Sequence, residues 1–174
     1  MWKLLFCILS HQFNLTYAMQ IRQATNTDIS AISQLFKKTI LYVNNKDYNE
    51  KQVTIWASGF DDYNKWKTKI ADQYFIIAEI DEQIVGFSSI TKNGYLDYMF
   101  VSHLHQGKGV ATTLIDEVES FATRNKLTKI TSEVSITAKP FFSSKGFTEV
   151  KEQQVLLKEV YFTNYQMEKT LIKH

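Results

Sequence analysis

Cysteine is almost missing from this sequence: of 174 residues only Cys7 carries a thiol. One thiol excludes a disulfide framework or a thiolate metal site built within a single chain. A strong charge imbalance is missing as well. Lys and Arg number 20 against 18 Asp and Glu, a formal +2, which by itself implies neither a nucleic-acid nor a membrane partner. There is no internal repeat, no low-complexity segment and no apolar run long enough to span a bilayer. What is present is the composition of a folded chain, 44% hydrophobic and 14% aromatic, unlike that of a disordered one. The length suffices for one domain with a real core.

Residues 1–18 stand apart from the rest. Lys3 is followed by the apolar run Leu4-Leu5-Phe6-Cys7-Ile8-Leu9, and Thr16-Tyr17-Ala18 resembles a weak cleavage site. Those six apolar residues fall short of the about 7–15 of a secretory leader. The segment reads as an appendage or a wrongly assigned start, with an export leader as the other reading. Met19-Gln20-Ile21-Arg22-Gln23-Ala24 then begins a domain that spans 19–174.

The stretch from Tyr95 to Asn125 organises that domain. The apolar strand Tyr95–Val101 crosses a polar link, Ser102-His103-Leu104-His105, and passes through Gln106-Gly107-Lys108-Gly109-Val110-Ala111-Thr112 into a helix over 109–125. The first N–H groups of a helix have no partner in the chain, and its dipole places partial positive charge there. Glycines in the turn let an anion approach. A pyrophosphate is the simplest ligand for such a turn.

Around this stretch the pattern predicts strands at 19–24, 74–80 and 84–90, helices from about 25 to 41, 49 to 58 and 61 to 70, and Gly59 as a helix C-cap. Asn93-Gly94 marks a hairpin into the strand 95–101, so three antiparallel strands form a meander. The helix 109–125 buries Val110, Leu114, Val118 and Phe121, and leads to a strand over 128–135 that should run parallel to 95–101. Pro140 opens a short helix through Lys145, and strands over 147–156 and 160–167 close the chain. The fold class is α/β (α+β): a mixed, mostly antiparallel sheet with helices on both faces.

The glycine turn fits neither common nucleotide motif. A dinucleotide fingerprint needs a third glycine where Thr112 stands, and a P-loop needs Ser or Thr after Gly-Lys where Gly109 stands. Gln106, Gly109 and Ala111 instead fit the spacing Gln/Arg-x-x-Gly-x-Gly/Ala. With Ser135, Ala138, Phe141-Phe142 and Gly146-Phe147 downstream, and Ile21-Arg22-Gln23-Ala24 with Asp28 upstream, the chain resembles the GNAT superfamily of acyl-CoA N-acyltransferases over about residues 19–170. The segments around Asp47-Tyr48, Trp56 and Asn164-Tyr165 are similar to a largely uncharacterised bacterial subgroup.

The resemblance implies a cytoplasmic N-acetyltransferase that uses acetyl-CoA as co-substrate and a primary amine as acceptor, assembled as a homodimer. It implies a pyrophosphate on the amides from Gln106 through Gly107, Lys108, Gly109, Val110 and Ala111 to Thr112. The pantetheine arm would lie between splayed strands 95–101 and 128–135, against the backbone near Phe100 and Val101, the hydroxyl of Ser135 and the ring of Phe142. One N–H there would act as an oxyanion donor. For the base that neutralises the amine, Glu133 comes first, as a carboxylate in a mostly apolar strand, and Asp97 second, in the partner strand. Phe142 stands where many members of the family have a tyrosine that protonates the leaving thiolate. That departure supports an alternative, a non-catalytic acyl-CoA-binding regulatory module. His103 and His105 lack a third ligand at metal-site spacing. The acceptor pocket is expected from Asn44–Tyr48 and the last hairpin.

Overall fold

A computed structural model describes residues 18–171; residues 1–17, and with them nearly all of the expected appendage, lie outside the described part. The elements are β1 (Gln20–Gln23), α1 (Ile29–Tyr42), α2 (Glu50–Ala57), α3 (Tyr63–Asp72), β2 (Tyr74–Ile80), β3 (Gln83–Ile90), β4 (Tyr95–Val101), α4 (Val110–Arg124), β5 (Lys129–Ser135), α5 (Lys139–Ser144), β6 (Thr148–Leu157) and β7 (Val160–Thr170). The seven strands form one sheet in the order β1-β2-β3-β4-β5-β7-β6. Every neighbouring pair is antiparallel except β4 and β5. The mixed sheet expected from the sequence is therefore present, with helices on both of its faces. No helix among the described residues is long and apolar enough to cross a membrane.

Two apolar layers hold the helices to the sheet. In β2, Ile76 and Ala78 belong to the layer under α4 and α5, with Val110, Leu114, Val118 and Phe142. Phe75 and Ile77 alternate into the layer under α1 to α3, with Phe36, Val53 and Trp66. A strand covered on both faces reads as an unbroken apolar run rather than an alternation, which is what Tyr74–Ile80 shows. The β2–β3 turn has no glycine: Asp81 (φ 53°) and Glu82 (φ 63°) both take the left-handed conformation that a two-residue hairpin requires.

Helix boundaries in the first half differ from expectation. Asn49 caps α2 through a reciprocal pair with Gln52, but the helix gives way to a 3-10 turn over Ser58–Asp61. Gly59 sits inside that turn and is not among the residues with positive φ, so it is not a left-handed C-cap. Asp62 then starts α3 by accepting from Lys65 N at 2.9 Å. The chain order also conceals that β7 inserts between β5 and β6. The long closing hairpin pairs its second strand with β5.

The feature that shapes the site is a failure of pairing. β4 and β5 meet only at Tyr95↔Thr131 and Leu96↔Ser132. On the other side of β4 the register jumps from Ser89↔Tyr98 to Ile90↔Leu96, leaving Asp97 as an extra residue. Such a bulge bends its strand and strengthens the local twist. From Leu96 onward β4 follows β3 while β5 follows β7, and a wedge opens between them.

Candidate active site

The wedge has a backbone wall. Ser102 N donates to Val85 O at 2.8 Å. Counting back along an antiparallel ladder, the peptide groups of Phe100 and Tyr98 turn toward β3, and those of Met99 and Val101 turn into the gap. The Val101 carbonyl is already engaged: it accepts from Thr39 Oγ1 at 3.0 Å and from Gln106 Nε2 at 2.7 Å. The gap-facing donors are thus Met99 N–H and Val101 N–H. This corrects the expectation for Phe100, whose main chain faces β3 and whose ring packs 4.9 Å from Phe36 and 5.3 Å from Phe87; it can offer the cleft only a side wall. The side-chain amide of Gln106 in addition braces the turn onto β4 through Val101 O.

At the open end of the wedge stands the glycine turn. Gly107 (φ 70°) and Gly109 (φ 82°) are both left-handed, and a methyl group on either would meet nothing within 4 Å. These glycines answer to the backbone angle, and the space beside them is open. Gly109 is the N-cap of α4 and has no side chain to cap with. Thr113 N is bonded to Gly109 O at 3.0 Å, so the three preceding amides, of Val110, Ala111 and Thr112, lie before the first intrahelical bond. A helix of 15 residues behind them adds its dipole. The arrangement suits a diphosphate. Lys108 is exposed beside it and makes no ion pair among the described residues.

The far wall comes from β5 and α5. Ile130 and Val134 belong to the layer under α4, so Thr131, Glu133 and Ser135 alternate onto the opposite face. Ser135 Oγ accepts from Ala138 N at 3.2 Å. Across from Ser135 in the ladder is Asn164. Its Oδ1 and the Oγ1 of Thr137 are buried at the cleft with no partner among the described residues. The amide oxygen can receive a donor and the hydroxyl can receive or give one, so both can bond a ligand in the cleft. Phe142 is 4% exposed and packs edge-on against Phe147 at 5.0 Å; it lines the cleft with a ring and no hydroxyl.

The two carboxylates differ. Asp97, pushed out by the bulge, reaches α3, where its Oδ2 accepts from Lys69 Nζ at 2.5 Å and from Gln73 Nε2 at 2.7 Å. Glu133 makes no ion pair among the described residues and is exposed. The burial invoked for it from the strand's composition is absent, because the missing β4 pairing opens that side of β5 to the cleft. Tyr95 and Tyr98 lie on the same face. Burial, aided by Glu133 and Asp97, pushes the Tyr95 hydroxyl up to about 12. Burial and Asp97 push Tyr98 up as well. Both keep their protons at neutral pH.

One continuous cleft of about 840 Å³ joins these parts, and every site residue expected from the sequence lines it except Lys108. It extends past Phe100 to Trp56 and to the ends of α2 and α3. Tyr48, an aromatic open from the sequence to a place in the acceptor pocket or in the core, is core: its hydroxyl bridges Thr163 O at 2.9 Å and Ile136 N at 3.0 Å. His103 stacks on Tyr42 at 4.8 Å. Burial, then Lys108 and His103, lowers the pKa of His105. No group of three or more metal-ligating side chains occurs among the described residues. Sequence reasoning missed Met99, Thr39, Thr137 and Asn164. Ordinary side chains like these carry no motif, and only the splay and the strand order give them a place at the cleft.

Comparison with known proteins agrees with this geometry. The acetyltransferase (GNAT) domain family matches residues 44–169, more than half of the chain. An uncharacterized N-acetyltransferase of Escherichia coli, YafP, is 32% identical over 149 residues, covering 86% of this chain and 94% of that protein. A GCN5-related N-acetyltransferase from Rhodopseudomonas palustris, described as a class-II aminotransferase, superposes with a TM-score of 0.84 at 28% identity, covering 87% of this chain and 95% of that one. The PaiA N-acetyltransferase of Thermoplasma acidophilum, solved with coenzyme A, shares the fold with a TM-score of 0.73 at 17% identity over 88% of this chain and 99% of its own. With a family match of this extent and a strand splay beside a glycine-turned helix N-terminus, the chain belongs to the GNAT family of acetyltransferases.

Proposed function

We propose that the protein transfers the acetyl group of acetyl-CoA to a primary amine of a small molecule or protein by direct attack on the thioester. The observation that carries this reading is the single cleft in which an uncapped helix N-terminus, a pair of gap-facing amides and an unpaired carboxylate follow one another. The amides of Val110, Ala111 and Thr112 hold the pyrophosphate. The pantetheine arm adds itself to the open edge of β4 as a strand would, and Ser135, Thr137 and Asn164 border it. Met99 N–H or Val101 N–H receives the charge that develops on the thioester oxygen. Held in place by β3, it needs little reorganisation to do so.

The amine must attack with a free lone pair. Glu133, directly or through a water molecule, takes its proton. The C–N bond forms, the now cationic nitrogen gives a proton to water, the tetrahedral adduct collapses, the C–S bond breaks and the thiolate leaves. Phe142 cannot protonate it. A thiolate of ordinary basicity, with a pKa near 8.5, leaves with a proton from solvent. Asp97, held by Lys69 and Gln73, supports α3 against the bulge rather than serving as the base. A coenzyme kept inside the cell fits a cytoplasmic location. The exposed apolar side chains Val150, Leu156 and Tyr161 near the outer strands fit a homodimer.

Thiol release from acetyl-CoA across a panel of amines tests the proposal. Glu133→Gln is expected to lower kcat by on the order of 10²-fold while coenzyme A binding, followed by calorimetry, is retained. The buried Phe142 favours one other reading, a module that binds acyl-CoA without turnover. Such a module would show coenzyme-induced thermal stabilisation and release no thiol with any amine.

A further inference from the structure

The acceptor end of the cleft is cationic, and its charge is unanswered. Lys65, on the first turn of α3, lines the cleft with an only partly exposed side chain. Its ammonium lies 5.2 Å from the ring centre of Trp66, 5.6 Å from Phe36 and 5.7 Å from Tyr98, inside the range where aromatic faces attract a cation. It has no carboxylate partner among the described residues. Lys69 on α3, Lys129 on β5, Lys139 on α5 and Lys169 on β7 differ, because each pairs with an acid. The two acids nearest Lys65 are otherwise engaged, Asp62 as the cap of α3 and Asp97 with Lys69. Burial accordingly lowers the pKa of the Lys65 ammonium, with Asp62 and Asp97 opposing and Lys69 assisting.

A second cation reaches the same end from another element. Lys158, in the left-handed turn between β6 and β7 (φ 45°), donates to Ser58 Oγ at 3.0 Å and also lines the cleft. Lys65 Nζ lies 3.6 Å from where a methyl on the adjacent Gly59 would stand. Two ammonium groups thus flank the Ser58–Gly59 turn. Glu133, which makes no ion pair among the described residues, lies farther in, in the wedge. A partly desolvated ammonium without a counterion is an unfavourable arrangement that an anion relieves.

We infer, on the basis of the acetyl-transfer reading, that the acceptor is a small amine bearing an anionic carboxylate or phosphate group, which Lys65 and Lys158 hold at the Ser58–Gly59 turn while the amine points toward Glu133. The polarity of the cleft, acid toward the wedge and cations at the Ser58–Gly59 turn, is complementary to a zwitterion. Lys65 is the specificity-determining residue, because its position is set by the rings of Phe36, Trp66 and Tyr98. Lys158 closes the site from the hairpin.

Matched pairs of amines with and without the anion test this: 2-phenylethylamine against phenylalanine, 1,5-diaminopentane against lysine, and ethanolamine against phosphoethanolamine. With acetyl-CoA saturating, the anionic member of at least one pair is expected to show about tenfold or higher kcat/KM, a difference of about 1.4 kcal/mol. Whether the carboxylate or the phosphate pair shows it identifies the anion. Lys65→Met should bring that ratio toward one and Lys65→Arg should preserve it. In a second measurement, calorimetry of 3-phenylpropanoate and of inorganic phosphate against the coenzyme A-loaded protein should show binding of one of them that Lys65→Met abolishes. Neutral members that match or exceed their partners in every pair overturn the inference, as does a preference that survives both Lys65→Met and Lys158→Met. If no amine is acetylated, the transfer reading fails, and the anion site is decided by calorimetry: binding lost in Lys65→Met upholds it, and no binding to the wild type overturns it.

Discussion

The proposed anion cradle depends on where α4 is seated, and Gly86 is packed directly against its first turn. Gly86 is buried in β3, opposite Ala78 on one side and Val101 on the other. A methyl group added there would sit 2.7 Å from Val110 Cγ1, 3.0 Å from Leu114 Cδ1 and 3.1 Å from Phe100 O. The shortest of these is 0.7 Å inside the 3.4 Å at which ordinary contact begins (3.4 − 2.7). Val110 is β-branched and stiff in a helix, and the Phe100 carbonyl belongs to the β3–β4 ladder. The relief available is a shift of the first turn of α4, which carries the amides proposed to hold the pyrophosphate. Overpacking of this kind costs about 1–3 kcal/mol, and alanine recovers about 0.5 kcal/mol relative to glycine in a strand. Gly86→Ala should therefore lose about 1–2 kcal/mol and about 2–8 °C in Tm. Coenzyme A should bind about tenfold more weakly, a loss of about 1.4 kcal/mol. Thermal unfolding and calorimetry read both. A variant with wild-type Tm and wild-type affinity would refute the claim that close helix–strand packing places the cradle.

Two further substitutions separate local backbone from electrostatics. Gly109→Ala meets no atom but must hold a φ of 82°, which disfavours a side chain by about 1–2 kcal/mol. Coenzyme A affinity should fall with little change in core packing, seen as a raised Kd with unaltered near-ultraviolet dichroism. Asp28 accepts from Arg22 at 2.8 and 2.9 Å and from Thr25 N at 2.7 Å. The Arg22 hydrogen bonds, helped by Thr25 and opposed by burial, lower its pKa from 3.8 to about 2. A carboxylate depressed in the folded state adds stability above the unfolded pKa and loses it as the pH falls from 3.8 toward 2. Because Arg22 is 41% exposed, the contribution is about 1–2 kcal/mol rather than the full value of the shift. Asp28→Asn should be less stable than wild type by that amount in urea at pH 7, and the difference should shrink below pH 4.

The periodicities and the punctuation of the chain were sufficient for its local structure. The apolar run of Tyr74–Ile80 and the stripe of Val110, Leu114 and Val118 are both set within a few residues, so a single sequence displays them. The glycine spacing at Gly107 and Gly109 likewise announced the turn into α4, because left-handed turns before a helix are dictated locally. The expected C-cap at Gly59 failed for the same reason of scale. The packing of α2 and α3 on the sheet selects a 3-10 turn there, and glycine permits it without requiring it.

What the tertiary structure decided were the relations between distant segments. The insertion of β7 between β5 and β6 puts Asn164 beside Ser135. The bulge at Asp97 turns Met99 and Val101 into the gap and sends the Asp97 carboxylate to Lys69. The splay leaves Glu133 open to the cleft instead of buried. None of these follows from spacing, because each depends on which strands pair and in what register, and pairing free energy is shared by residues far apart in the chain. The chemistry of each residue was present in the sequence, and the meeting of Lys65, Glu133 and the α4 amides in one cleft was made by the fold.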